Sequence, residues 1–174
     1  MTNEVIENII NRRSCKKYKS DPVPQELIDI IVEAGLTAPS GMNRQAGIAL
    51  VVTDKETRDK LSALNAKYDP KKRVDPFYNA PVVIPVLGDT NVFTYIYDGS
   101  CMLENMMLAA SSLGLGNCWI HRAKEVFEDE EGRAILRELG IPDEYEGIGN
   151  LILGYAAVEN TAVPERRPGR LFKK

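Results

Sequence analysis

Apolar residues recur every three to four positions in several stretches of the chain, which is the spacing that places them on one face of an α-helix. The predicted helices are residues 3–11, 24–36, 53–68, around 100–113, and 124–139. Their ends carry local signals as well. Pro24 suits a first helical turn, residues 53–56 have the form of a capping box, and Gly140 to Pro142 end the last helix.

Continuous apolar runs rich in β-branched residues alternate with these helices and predict the strands. The predicted strands are residues 48–52, 81–88, 117–120 and 147–158. Pro85 removes a backbone donor inside the second of them, which places that strand beside a sheet edge. The basic and polar residues 65–79 predict a connection, and residues 159–174 predict a polar, basic tail. The chain is therefore expected to form one α+β domain, residues 1–174, with a mixed sheet.

The helix predicted around residues 100–113 is the least polar part of the chain. From Gly99 to Ile120 the only charged side chain is Glu104, so this helix must be covered on nearly every face. A single small domain does this with difficulty, and we predict that a second copy of the chain covers part of the helix. A wholly central helix in a monomer is the alternative. The residues expected to include contacts with the partner are Met102, Leu103, Met106, Met107, Ala110 and Leu113.

Composition and charge narrow the class of protein. The 174 residues are 44% apolar and 27% charged, which is ordinary usage for a folded domain. Lys and Arg number 22 against 25 Asp and Glu, and the net charge of −3 gives no support for a nucleic-acid or membrane-surface partner. No apolar run approaches the roughly 20 residues that span a bilayer, and the first residues reverse the charge order of a secretory signal.

Cysteine and histidine usage limits the chemistry of the side chains. Cys15, Cys101 and Cys118 form no C-x-x-C pair, which argues against a disulfide framework and a zinc site and favours a reducing, cytoplasmic location. His121 is the only histidine, and its alternatives are an acid–base role or a structural or surface role. We expect no metal, and we expect the chemistry to need a bound cofactor.

Two basic clusters are candidates for phosphate binding. Residues 11–18, NRRSCKKY, place two guanidinium groups, a hydroxyl and two ammonium groups at a helix end, and arginine and serine donors match phosphate oxygens. A solvated basic loop is the alternative. The second cluster consists of Arg166, Arg167, Arg170, Lys173 and Lys174. Its alternatives are a contact with the first cluster or a solubilising tail.

Two further segments are candidates for ligand contacts. Residues 38–45, APSGMNRQ, set amide and hydroxyl groups in a loop ahead of a strand, which suits the polar edge of a heterocycle. A polar turn is the alternative. Residues 113–120, LGLGNCWI, contain G-x-G, but Trp119 stands where a dinucleotide fingerprint needs glycine, and a helix precedes the motif. This is therefore not a Rossmann motif, and the chain has no P-loop.

The order of these motifs resembles the nitroreductase family over nearly the whole chain. The matching motifs are R-R-S-x-K at residues 12–16, P-S-x-x-N-x-Q at 39–45, G-L-G-x-C-W-I at 114–120, L-G-Y at 153–155, and the basic tail. The resemblance implies a mainly antiparallel sheet flanked by helices, a long buried interface helix and an extended C-terminal tail. It also implies a homodimer that binds FMN tightly at the subunit interface and takes electrons from NADH or NADPH.

The resemblance also implies which residues bind FMN. At the FMN phosphate they are Arg12, Ser14 and the adjacent Arg13, with Arg166 and Arg167 from the tail. Lys16 lies near the flavin pyrimidine, and a backbone N–H of His121, Arg122 or Ala123 meets flavin N5. A loop from the other subunit contributes Pro39, Ser40, Gly41, Asn43 and Gln45. The chain departs from the family at two points in these motifs, because Pro164 stands where many members have lysine and Ala46 replaces a proline. It is also short, which leaves little room for a helical lid and predicts an open substrate pocket.

The function implied is that of an FMN-dependent NAD(P)H oxidoreductase, with ping-pong hydride transfer to nitroaromatics, quinones or similar acceptors. No catalytic side chain is expected, because flavin N5 carries the chemistry. A specialised flavoenzyme of the same fold, such as a reductive dehalogenase or a flavin-fragmenting enzyme, is the first alternative. The second is a non-catalytic nucleic-acid-binding protein that uses residues 12–19 and the tail, against which the net charge argues.

Overall fold

The computed structural model describes residues 2–158 and 162–174. Four strands form one sheet: β1 Gly47–Ala49, β2 Val82–Asp89, β3 Gly116–Ile120 and β4 Tyr145–Gly154. Their spatial order is β1-β2-β4-β3, so β2 and β4 are central and β1 and β3 are the edges. The helices are α1 Glu4–Asn11, α2 Gln25–Leu36, α3 Lys55–Lys67, α4 Tyr95–Ser112, α5 Ala123–Glu128 and α6 Glu130–Glu138, and a 3₁₀ turn covers Gly41–Asn43.

The predicted α+β class is confirmed, and the strand pairing is more uniform than predicted. Every pair of neighbouring strands is antiparallel, whereas a mixed sheet was expected. The parallel pairing found in the described part of the chain is a single bridge between Ser14 and Asn117, where the basic segment after α1 runs beside β3. This segment is thereby attached to an edge of the sheet.

Apolar residues cover both faces of the sheet, with α2 and α4 on one face and α3, α5 and α6 on the other. Successive residues of a strand point to opposite faces. In β2, Val82, Ile84 and Val86 accordingly pack on the side of α2 and α4, while Val83 and Leu87 pack on the opposite side. Because β2 is buried on both faces, it appears in the sequence as a continuous apolar run without alternation.

Pro85 explains why the first predicted strand, residues 48–52, is broken. The carbonyl of Pro85 accepts from Leu50 N–H at 2.9 Å, so the proline nitrogen, which has no hydrogen to donate, faces β1 as well. Pairing with β2 ends at Ala49 and resumes only as an isolated bridge between Val52 and Val83. The prediction that Pro85 lies beside a sheet edge is confirmed, since β1 is an edge strand.

Local capping groups determine where several helices begin. Asn3 Oδ1 accepts from Ile6 N–H at 3.0 Å and starts α1. Asp54 Oδ1 accepts from Thr57 N–H at 2.8 Å, so Asp54 caps α3, although the capping-box pattern placed the cap at Thr53. Pro24 occupies the N-cap of α2 instead of its first turn.

Most of the apolar residues of α4 are buried by their own chain, which corrects the expectation that a partner must bury them. Five of the six residues expected to need a partner, Met102, Leu103, Met106, Met107 and Ala110, are buried within the single chain, and Leu113 is half-buried. They pack against α2 and the sheet in one cluster. Gly35 permits this close packing, because a Cβ there would lie 2.6 Å from Met106 Cγ. The burial of these residues therefore requires no second copy. Ile96 and Tyr97 of α4 are 50% and 72% exposed, so coverage of part of this helix by a second copy stays a prediction.

Residues 65–79 are a packed segment and not the plain connection that their polarity suggested. α3 continues to Lys67, and Asp69 and Phe77 are fully buried. Asp75 holds the rest of the segment, since it accepts from Ser62 Oγ and Arg58 Nη2, each at 2.6 Å, and from two backbone N–H groups. Burial by itself raises the pKa of the Asp75 carboxyl, but these hydrogen bonds lower it overall. The prediction failed because the partners of Asp75 come from α3, more than ten residues away.

The helix predicted over residues 124–139 is interrupted at Asp129, which divides it into α5 and α6. Asp129 has an extended conformation with φ −68° and ψ 142°, and its carboxylate accepts from Glu131 N–H at 3.1 Å. The same carboxylate accepts from Tyr68 Oη at 2.7 Å and pairs with Lys67. Contacts with the end of α3 therefore favour the break over a continuous helix.

The charge of Asp129 should make the stability of the fold depend on pH in a defined window. The bond from Lys67, followed by those from Tyr68 and Glu131, lowers the pKa of Asp129 to about 2, below the value near 3.9 of an unfolded chain. Its contribution is thus complete above both values and is lost as the pH falls. Asp129→Asn keeps a good N-cap and removes the charge. We expect the difference in unfolding free energy between wild type and variant, measured with urea, to be constant above about pH 5 and to shrink between about pH 4 and pH 2. An unchanged difference across that window would contradict this.

Helix α1 leaves its apolar residues exposed. Val5, Ile6, Ile9 and Ile10 are between 42% and 66% exposed, and no residue of α1 is buried. In the predicted tail, Leu171 and Phe172 are also exposed, and residues 159–161 lie outside the described residues.

The three cysteines are free. Within the described ranges, no helix has the length and apolar character to cross a membrane.

Candidate functional site

The basic segment after α1 brings together three of the predicted phosphate and flavin ligands. Cys15 N–H donates to Asn117 O at 2.8 Å, which holds the segment in an extended form against β3. Ser14 forms a bridge with Asn117 of β3, so Arg12, Ser14 and Lys16 follow one another along this edge of the sheet. Burial raises the pKa of the Cys118 thiol, while a hydrogen bond with Ser14 and the charges of Lys16 and Arg12 act in the opposite direction. The structure thus places a hydroxyl and two cations on one short segment at the edge of the sheet.

Further contacts make this segment rigid. Lys19 N–H donates to Tyr155 O at 2.8 Å, and Ala157 N–H donates to Lys17 O at 2.9 Å, so the segment also pairs with the residues that follow β4. Tyr18 Oη donates to Cys15 O at 2.8 Å. Burial raises the pKa of Tyr18, and the phenol remains a neutral donor. A site on this backbone is therefore formed before any ligand binds.

Arg12 and Arg13 differ in what their guanidinium groups contact. Arg13 donates to three backbone carbonyls, those of Ile10 and Arg12 at 2.7 Å and that of Ala162 at 2.9 Å. Arg12 Nη1 is buried and has no hydrogen-bond partner among the residues that the structure describes. A buried, unpaired cationic donor beside a serine hydroxyl fits an anionic ligand. The geometry therefore assigns Arg13 a structural contact and leaves Arg12 available to a phosphate.

A cavity of 520 Å³ adjoins this segment. It is lined by Arg13, Ser14, Cys15, Lys16, Lys17, Val158, Ala162 and Pro164. The beginning of the described tail therefore reaches the cavity, whereas Arg166 and Arg167 are exposed and do not line it. The structure brings the tail near the predicted phosphate ligands without placing its two arginines among them.

The second predicted part of the site, residues 38–45, is a strained loop. Met42, Asn43 and Gln45 have φ of 53°, 54° and 50°, a left-handed conformation that costs non-glycine residues of the order of 1 kcal/mol each. Gln45 N–H donates to Ser40 Oγ at 3.0 Å, and Gln45 Nε2 donates to Asn43 Oδ1 at 3.2 Å. Pro39, Ser40 and Gln45 line a cavity of 190 Å³. Strain of this kind persists only where surrounding contacts enforce it.

Asp98 enforces the loop conformation, and the sequence analysis missed it. Its buried carboxylate accepts from Gly41 N–H and from Thr94 Oγ1, each at 3.0 Å. A Cβ on Gly41 would lie 2.4 Å from Thr94 Oγ1, so glycine is needed for this approach. Asp98 lies in the first turn of the apolar helix α4, and an acidic residue there is the one sequence signal of a buried polar contact. Its partner lies 57 positions earlier and could not be inferred from local pattern.

The loop and the basic segment lie far apart within one chain. β1 begins at Gly47, in register with Gly88 and, across β2, with Glu146 of β4, whereas Asn117 of β3 is in register with Leu153 of β4. These two positions on β4 are separated by about 24 Å along the strand, and β1 and β3 are about 14 Å apart across the sheet, from the usual strand dimensions. The two predicted halves of the site thus lie at opposite corners of the sheet.

The third predicted part, residues 121–123, lies on the same sheet edge as the basic segment. These residues follow β3 directly. His121 is exposed, Ala123 is fully buried, and Arg122 is left-handed with φ 77° at the N-cap of α5. Among the described residues, no group of three or more His, Cys, Asp or Glu side chains could hold a metal ion. The site that these segments define is therefore built from cations, hydroxyls and backbone groups.

The fold and the candidate site together define an α+β protein with a basic segment on one sheet edge and a strained polar loop near the other. The chain belongs to the nitroreductase family, whose model matches residues 9–72 and 64–155. This confirms the family suggested by the sequence motifs. A relative named FMN reductase [NAD(P)H], from Bacillus subtilis, is 30% identical over 179 residues, covering 93% of this chain and 70% of that protein.

Solved structures support the same assignment. A nitroreductase with bound FMN from Bacteroides fragilis is 31% identical and superposes with a TM-score of 0.88, covering 99% of this chain and all of that one. A second nitroreductase with bound FMN, from Desulfitobacterium hafniense, is 28% identical with a TM-score of 0.87 over 99% of this chain. The nitroreductase-like fold is confirmed.

Proposed function

We propose that the chain is an FMN-dependent NAD(P)H oxidoreductase that acts as a homodimer and transfers hydride by a ping-pong mechanism to nitroaromatics, quinones or similar acceptors. The observation that carries this proposal is the buried Arg12 Nη1, unpaired in the described structure and adjacent to Ser14 and Lys16. A cationic donor that is already desolvated makes a strong, charge-assisted bond to a phosphate. Relatives with the same fold bind FMN.

The residues of the basic segment would hold the two ends of FMN. Arg12 and Ser14 would bind the phosphate, and Lys16 would place its ammonium group near the pyrimidine. Arg166 and Arg167 remain proposed phosphate ligands from the tail. FMN supplies hydride acceptance and donation at its N5 atom. The positive charge of Lys16 would stabilise negative charge on the pyrimidine, and a backbone N–H of residues 121–123 would orient the N5 side.

The homodimer follows from the separation of the two halves of the site. One chain cannot bring residues 39–45 to the basic segment, because they lie at opposite corners of its sheet. In a twofold dimer, each copy can present its loop to the partner's basic segment, and both sites are then equivalent. The exposed apolar face of α1, which leads into Arg12, is the surface that we propose the partner covers. Its burial would stabilise the dimer by about 25 cal/mol for each Å² of apolar surface removed from water.

The proposal is tested by measuring FMN binding, the oxidation of NADH or NADPH, and the mass of the protein in solution. We expect the purified protein to be yellow or to take up one FMN per subunit, to oxidise NADH or NADPH when a nitroaromatic or a quinone is present, and to sediment as a dimer at micromolar concentration. A colourless protein that takes up no FMN would overturn the proposal. FMN-loaded protein that oxidises both reductants only slowly with these acceptors would favour a reductive dehalogenase or a flavin-fragmenting enzyme instead.

Lys16→Met should change the redox behaviour of the bound flavin more than its affinity. Methionine keeps an unbranched stem and removes the charge, so negative charge on the flavin loses about 1 kcal/mol of stabilisation. For a two-electron couple this lowers the midpoint potential by about 20 mV, which a spectroelectrochemical titration measures. Lys17→Met, which removes the neighbouring exposed charge, is the matched control and should shift the potential less. If Lys16→Met lost FMN while the remaining flavin kept the wild-type potential, Lys16 would be a phosphate ligand.

A further inference from the structure

The turn at residues 121–123 is held from the side by the end of α3 and the residues just after it. Asn65 Nδ2 donates to His121 O at 2.9 Å, and Arg122 Nε donates to Tyr68 O at 2.9 Å. Asp69 Oδ1 lies 3.9 Å from Arg122 Nη2. Asn65, Tyr68 and Asp69, which we name the α3 support, therefore contact both the backbone and the side chain of the turn.

The conformation of the turn requires such a support. Arg122 has φ 77°, a left-handed conformation that is unfavourable for a side chain with a Cβ and that surrounding contacts must maintain. Residue 123 is fixed on the other side by β4, because Gly147 approaches so closely that a Cβ there would lie 2.2 Å from Ala123 O. The turn is thus held between β4 and the α3 support.

Asp69 is a fully buried carboxylate that contacts both this turn and the loop of residues 71–73. Its carboxylate accepts from the N–H groups of Lys71 at 3.1 Å and Arg73 at 3.3 Å, and Arg73 Nε lies 3.4 Å from Oδ2. Burial raises the pKa of Asp69, but these N–H donors and the charges of Arg73 and Arg122 outweigh it and lower that pKa. The carboxylate is therefore charged at neutral pH and attracts Arg122.

Burial of Asn65 costs free energy, because its hydrogen bond to His121 leaves the side-chain oxygen without a partner in the described structure. Its side chain is fully buried, and Oδ1 has no hydrogen-bond partner among the described residues. An apolar residue would avoid an unsatisfied buried oxygen, so the benefit of asparagine here lies in the bond that Nδ2 donates to His121 O. That bond acts on the backbone that leads into Arg122.

We propose that Asn65 and Asp69 are positioning residues for the flavin site, and that they act by fixing the backbone of residues 121–123. The inference rests on the proposed function, in which a backbone N–H of this turn meets flavin N5. Neither residue touches the flavin itself. Loss of either contact should let the turn leave its left-handed conformation and weaken the orientation of the N5 side.

The test compares Asn65→Ala and Asp69→Asn with a matched control, Asn105→Ala. Asn105 Nδ2 donates to Ala34 O at 3.0 Å, so the control removes the same kind of side-chain to backbone bond between α4 and α2, away from the turn. Asp69→Asn keeps one acceptor oxygen, which can serve the N–H group of Lys71 or that of Arg73, and removes the charge that faces Arg122. The measurements are FMN affinity, the visible spectrum and midpoint potential of bound flavin, apoprotein stability, and amide hydrogen exchange of residues 122 and 123.

We expect Asn65→Ala to raise the dissociation constant for FMN on the order of tenfold and to shift the flavin bands, whereas Asn105→Ala loses similar stability and binds FMN as wild type does. Amide exchange at residues 122 and 123 of the apoprotein should accelerate in both support variants and not in the control.

If Asn65→Ala does not fold, Asp69→Asn decides the question by the same measurements. Variants with wild-type FMN affinity, flavin spectrum and potential, and unchanged exchange at the turn, would overturn the inference. Wild-type protein that takes up no FMN would instead reject the proposed function, and the exchange measurement would still test the support.

Discussion

Arg12→Ala should lower the affinity for FMN by about one to two decades and leave the stability of the apoprotein unchanged or slightly higher. A hydrogen bond from a charged donor is worth about 1.5–3 kcal/mol, which corresponds to this range of affinity. The apoprotein loses nothing comparable, because Arg12 Nη1 is buried with no partner in the described structure. Removing an unpaired buried donor also removes the cost of its desolvation.

Two arginine variants separate ligand binding from structure. Arg13→Ala removes three donations to backbone carbonyls, so it should lower apoprotein stability more than Arg12→Ala and reduce FMN affinity less. Arg137→Ala removes an equal charge from the exposed side of α6 and should leave FMN affinity unchanged. FMN affinity follows from fluorescence titration, and stability from urea unfolding. If Arg12→Ala destabilised the apoprotein as much as Arg13→Ala and kept wild-type affinity, Arg12 would be a structural residue.

Mixing two variants with weakened FMN binding should restore FMN sites, which is the largest effect that we expect. One variant is Arg12→Ala, and the other carries Asn43→Ala with Gln45→Ala in the exposed loop. Each homodimer has the same lesion in both sites. In a mixed dimer, one site combines the intact basic segment of one subunit with the intact loop of the other, and the second site carries both lesions.

The restored fraction can be calculated from random exchange of subunits. Equal amounts give mixed dimers in about half of the molecules, so about a quarter of all sites should bind FMN with wild-type affinity. The measurement is FMN bound at a concentration that saturates wild type and leaves both parent variants largely empty, after unfolding and refolding together. Separately refolded variants, mixed afterwards without exchange, are the control. Recovery no greater than in that control would contradict a site shared between subunits.

Much of the fold could be predicted from the sequence because it depends on short-range pattern. Helical spacing of apolar residues predicted α1 and α2 to within a few residues, and the apolar run of residues 81–88 predicted the central strand β2. The chemistry of the basic segment was also evident, since guanidinium and hydroxyl groups at that spacing suit a phosphate whatever their surroundings. These inferences need only the periodicity of helix and strand and the donors of each side chain.

Contacts between distant residues decided the features that the sequence analysis missed. The break at Asp129 depends on Lys67 and Tyr68, and the loop of residues 38–45 is held by Asp98 through Gly41. The packed form of residues 65–79 depends on Arg58, whose guanidinium pairs with Asp75. In each case a charged or polar group finds its partner through the folded backbone, and the local pattern around it is also compatible with a loop or a continuous helix.

The sequence by itself determined the class of fold, the family and the identity of the cationic segment, because periodicity and side-chain chemistry are properties of neighbouring residues. Only the tertiary structure decided which apolar residues stay exposed. Met106 of α4 was expected to need a partner but is buried because Gly35 lets α2 approach closely, whereas the apolar residues of α1 are exposed. Which atoms exclude water from a side chain depends on how elements cross in space, and the spacing of residues along one helix carries no information about that crossing.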